Sequence, residues 1–155
     1  MKTLVVGYSE AESSARALVR AAELAKAFQA HLVVVSVTAP TMLPVAEPVV
    51  EPTLATPIGA LAPVEAGESA ATRPADVSGR ELDLARAALA GHDVDAEYVA
   101  EVGDPADRLL AVADERDADL IVVGSREHGF LERLLVRPVE ETVARRTDRD
   151  VLLVH

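Results

Sequence analysis

The run Ala118-Asp119-Leu120-Ile121-Val122-Val123-Gly124-Ser125-Arg126 decides the architecture. Leu120 to Val123 leave no polar face, as a strand covered on both sides requires, and a glycine then releases the chain into a polar loop. Thr3-Leu4-Val5-Val6-Gly7, Leu32-Val33-Val34-Val35-Ser36-Val37 and Val151-Leu152-Leu153-Val154 read the same way. The stretch from Val94 to Ala100 differs. Its Val94, Ala96, Tyr98 and Ala100 alternate with mostly charged residues, the pattern of a half-exposed edge strand.

Helical patterns fill the intervals. Ser9 and Glu12 form a capping box ahead of Ala15, Leu18, Val19, Ala22, Ala25 and Phe28 at helical spacing. Ser78 and Glu81 repeat the box ahead of Leu82, Ala85, Ala88 and Leu89, with Gly91 at the stop. Asp104 supplies an N-cap before Pro105 at the first helical position. Pro138 opens a last helix, with Glu140 and Glu141 in its first turn and Arg145 and Arg146 near its end. Strands alternating with helices predict an open parallel sheet with helices on both faces, in one domain over residues 1–155. The interval Thr38 to Val77 holds seven of the nine prolines and no helical period, and reads as a Pro-punctuated surface insertion.

Composition removes several function classes. The chain has no Cys, so disulfides, thiolate metal sites and cysteine nucleophiles are excluded. Its 15 Lys and Arg against 26 Asp and Glu leave a formal net charge of −11, which repels a phosphate backbone. The stretch Arg126 to Arg149 holds six Arg but also Glu127, Glu132, Glu140, Glu141 and Asp148, so it is mixed and not a nucleic-acid patch. Only Lys2 and Lys26 are lysines; the composition fits salt-adapted proteins and ordinary acidic ones equally. No apolar run approaches the roughly 18 residues of a membrane span, and the start turns acidic too soon for a signal peptide. A cytoplasmic protein without membrane or nucleic-acid partners is expected.

The capped first strand–helix unit, Gly103-Asp104-Pro105, the run Ala118 to Arg126 and the closing Val151 to Val154 together resemble the universal stress proteins over almost the whole chain. The resemblance implies a Rossmann-like five-stranded sheet of order 3-2-1-4-5. ATP-binding members carry G-x2-G-x9-G-[ST] after the fourth strand, where glycines let backbone N–H groups approach phosphates. Here the pattern begins at Gly124, but its next positions fall on Glu127, Arg137 and Pro138. The family's acidic residue after strand one falls on Gly7. Val123, Gly124 and Val139 alone match binding positions. No cofactor is therefore expected, ATP being disfavoured. Arg126, His128 and Arg137 are candidates for an anion pocket at the start of the last helix, against solvated loop charges as the plainer alternative.

Catalytic patterns are sparse. His31, His92, His128 and His155 show no metal-ligand spacing, and Ser125 lacks a G-x-S-x-G elbow. The leading expectation is a stress-associated regulatory protein that binds a protein partner or small anionic ligand. A nucleotide binder with weak ATPase or sensing activity is the first alternative; a small hydrolase using Ser125, Arg126 and His128 is the lower one. In the implied sheet order the last strand is an edge. Being apolar on both faces, it predicts a homodimer paired through Val151, Leu152, Leu153 and Val154.

Overall fold

A computed structural model describes residues 1–40, 74–125 and 138–155. The elements run β1 (Thr3–Tyr8), α1 (Glu12–Phe28), β2 (His31–Thr38), α2 (Pro74–Leu89), β3 (Ala96–Val102), α3 (Pro105–Glu115), β4 (Leu120–Gly124), α4 (Val139–Arg146) and β5 (Asp150–Val154). The strands form one sheet in the order β3-β2-β1-β4-β5, with every neighbouring pair parallel. This is the expected Rossmann-like α/β fold, with β3 and β5 at the edges.

Period two decides which helices cover which face. Leu4, Val6, Leu32, Val34, Leu120 and Val122 meet α1 and α2. Val5, Val33, Val35, Ile121 and Val123 meet α3 and α4. Both alternating sets are apolar because both faces are roofed, which is why these strands read as unbroken runs.

Three local expectations are corrected. Helix α1 starts at Glu12 behind Ala11, which makes no side-chain cap; Ser9 instead meets the Ser14 hydroxyl at 3.1 Å. Its buried face is Ser13, Ala17, Leu18, Ala21, Ala22 and Ala25, leaving Val19 and Phe28 of the expected stripe 36% and 54% exposed. Small side chains let the helix lie close to the sheet, and closeness rather than side-chain size sets the inward face. Helix α2 begins at Pro74, a turn before the expected box. Ser78 is therefore buried within it and meets the Thr38 hydroxyl, while the Ser36 hydroxyl donates to Glu81. The pair ties α2 to β2 and caps nothing. Residues 41–73 of the Pro-rich interval lie outside the described residues.

Elsewhere the signals hold. Asp104 accepts from the Asp107 N–H at 3.0 Å with Pro105 following it, and Pro138 sits at the N-cap of α4. At the opposite end of the sheet, Asp119 clamps the start of β1 by accepting from the Lys2 and Thr3 N–H groups. Those N–H groups, Lys2 first, hold the Asp119 carboxyl below its usual value. A carboxyl depressed in the folded state stabilises above the unfolded value of about 3.9, and the benefit fades as pH falls through the lower folded value. The expected outcome for Asp119→Asn is a lower urea midpoint at pH 7 and a gap from wild type that narrows as pH falls below the unfolded value of about 3.9. A gap that does not narrow would count against the clamp.

Candidate functional site

Strand order reverses beside β1: the chain adds β2 and β3 on one side, then crosses back to place β4 on the other. In open parallel sheets a crevice forms at that point, outside the carboxyl ends of the strands. A cleft of about 340 Å³ lies there, on the α3/α4 face. Gly7 and Tyr8 of β1, Val35 and Val37 of β2, and Val123 and Gly124 of β4 form its floor. Pro105 and Leu109 of α3 and Pro138, Val139 and Glu140 at the start of α4 wall it, with Ser9 and Ser14 at the rim. Val139 is thus brought onto the same cavity as Val123 and Gly124.

Each glycine has its own reason. A Cβ on Gly124 would stand 2.5 Å from the backbone C and O of Ser13. Gly124 is glycine because the first turn of α1 lies against the end of β4, so its presence is explained without a ligand. A Cβ on Gly7 would stand 3.3 Å from Leu109 Cδ2 and 3.8 Å from Val123 Cγ1. An acidic side chain at this position would be pressed against two apolar groups; Gly7 instead leaves an apolar floor. The next residue, Tyr8, packs on the α1/α2 side, where its phenol is pushed above its usual pKa, by burial first and then by Glu81 and Glu10.

No cation stands among the described residues that line the cleft. Among its described lining residues the one ionisable chain besides Tyr8 is Glu140, and Pro138 at the head of α4 has no N–H to offer a phosphate. Arg126, His128 and Arg137, together with Glu127, lie outside the described residues. The strand ends Gly7 to Ser9 and Ser36 to Thr38 are legible as the binding side of the sheet, whereas Val35, Pro105 and Leu109 are not singled out from the sequence. The alternation of inward residues on β2 carried the signal for Val35, but the α3 contribution depends on how that helix crosses the sheet.

The β5 residues gather elsewhere. Leu152, Leu153 and Val154 line a second, open depression of about 640 Å³ with Ala15 and Val19 of α1, bordered by Glu12, Arg16, Arg20 and Glu23. Leu153 is 38% exposed. Among the described residues no cluster of His, Asp and Glu is placed to hold a metal ion, and no helix is long and apolar enough to cross a membrane.

The universal stress protein family profile matches residues 1–155. The chain belongs to the universal stress protein family. A universal stress protein of Mycobacterium tuberculosis strain H37Rv is 32% identical over 157 residues, covering 99% of this chain and 96% of the relative. A universal stress protein solved in complex with cAMP is 29% identical with a TM-score of 0.71, covering 99% of this chain and 97% of that one. The universal stress protein of Archaeoglobus fulgidus in complex with dAMP is 20% identical with a TM-score of 0.65, covering 100% and 98%, and shares the fold.

Proposed function

We propose that this universal stress protein is a regulatory binding protein whose cleft takes an adenine mononucleotide bearing a single phosphate charge, and that it does not hold ATP in the usual mode. The observation that carries this is the lining: apolar walls at the strand-order reversal, with Glu140 and Pro138 where a triphosphate would need cations and N–H groups. A cavity of about 340 Å³ stands at the small end of ligand pockets, which run from about 300 to 1,000 Å³. Base and ribose would be held by Val35, Val37, Leu109, Val123 and Val139, where burial of apolar surface supplies the affinity. A 29%-identical relative solved with cAMP supports the choice of a cyclic monoanion.

Calorimetry tests it. cAMP is expected to bind with a micromolar dissociation constant, about 8 kcal/mol, and Mg·ATP no tighter than millimolar, about 4 kcal/mol. ATP binding as tight as cAMP, or no binding of either, would sink the reading. The companion variant Glu127→Gly, Arg137→Gly, Pro138→Ser should raise ATP affinity if those departures weaken it.

A second reading concerns assembly and rests on a different observation. Strand β5 ends the sheet, pairs with β4 alone among the described strands, and keeps Leu153 exposed beside an apolar depression. We propose a homodimer in which two copies of β5 pair antiparallel, satisfying their outward N–H and C=O groups in a closed isologous contact.

A further inference from the structure

We infer that Glu140 sets how many phosphate charges the cleft accepts. The inference rests on the mononucleotide reading and names the residue that enforces its charge limit. Glu140 is half-buried in the second position of α4 and lines the cleft, whereas its neighbour Glu141 is exposed, lies outside the cleft lining and pairs with Arg145 at 3.0 Å. A helix N-terminus attracts anions through its free N–H groups and its dipole. Here the chain's own carboxylate stands at that end, and Pro138 removes one donor. A ligand phosphate entering from the α4 side therefore meets a negative charge where the fold would otherwise offer a positive one.

The arithmetic gives a ladder. Adenosine carries no charge, cAMP one, AMP about two and magnesium-free ATP about four. Unit charges about 4 Å apart in water change affinity by about fivefold, and a partly buried pair by more. Affinity should then fall in the order adenosine and cAMP, AMP, ATP, although the base and ribose are common to all four. The walls that hold the base do not include Glu140, so the residue governs the charge dependence and not the base contact.

The experiment is calorimetric titration of adenosine, cAMP, AMP and magnesium-free ATP into wild type, Glu140→Gln, Glu140→Ser and Glu141→Gln. Both Glu140 variants should raise AMP and ATP affinity about five- to tenfold and leave adenosine within about twofold. Glu141→Gln removes the same charge from the same helix turn and should leave the ladder where it is. Raising KCl from 0.05 to 0.5 M should narrow the wild-type gap between adenosine and AMP. Wild type that binds AMP as well as adenosine, with ATP still far weaker than cAMP, overturns the inference while the mononucleotide reading survives. Equal shifts from Glu140→Gln and Glu141→Gln also overturn it, since a general field would then be responsible. If no adenine compound binds, adenosine included, the mononucleotide reading itself fails and this inference fails with it.

Discussion

Gly124→Ala should lower stability by about 3 kcal/mol, the upper part of the usual range for overpacking, and the melting temperature by roughly 10 °C. The added methyl would stand 2.5 Å from Ser13 C and O and 2.7 Å from Ser14 N. These are backbone atoms, so no side chain can rotate away. Nor can the strand withdraw, because β4 is paired with β1 on one side and β5 on the other. The strain must move the first turn of α1, which lines the cleft through Ser14. Gly79 supplies the contrast: a Cβ there meets nothing within 4 Å, and it lies inside α2. Gly79→Ala should stabilise by about 0.5–1 kcal/mol through the lost freedom of the unfolded chain. Thermal melts of the two variants decide the matter. An unchanged melting temperature for Gly124→Ala would mean that α1 yields freely.

Leu153→Asp should convert the proposed dimer to monomer at micromolar concentration. Two copies of β5 related by a two-fold axis bring both Leu153 side chains to the contact, so each substitution acts twice. A carboxylate moved into an apolar, water-poor contact should raise the dissociation constant at least a hundredfold, about 3 kcal/mol. The fold itself should tolerate the change, since Leu153 is already 38% exposed, unlike its sheet partner Val123, which is buried. Light scattering on both proteins, with circular dichroism to check the fold, reads the outcome. A monomeric wild type refutes the pairing, as does a variant that stays dimeric.

The amino-acid pattern determined the parallel α/β class, and the family resemblance supplied the strand order. Leu120 to Val123 and the matching runs at Leu4 and Leu32 read as strands roofed on both faces, because they are short, rich in β-branched residues and without polar alternation. Asp104 ahead of Pro105 was equally legible, since a cap acts over three residues and needs no distant partner. Motif spacing also marked where the chain departs from the ATP pattern, at Glu127, Arg137 and Pro138.

Tertiary structure decided what depends on distant partners. Ser78 and Glu81 look like a capping box, yet Ser36 and Thr38 on β2 recruit them, because hydroxyls at a buried sheet–helix contact must find partners. The sequence shows an apolar Val19; only the seating of α1 by its alanines leaves that residue facing the β5 edge. Gly124 appears in the chain as a glycine after a strand, and its reason, the Ser13 backbone 2.5 Å from where a Cβ would sit, exists only in three dimensions. Glu140 and Glu141 are adjacent and chemically alike. Helical geometry turns one into the cleft and leaves the other in water, because successive residues on a helix point about 100° apart.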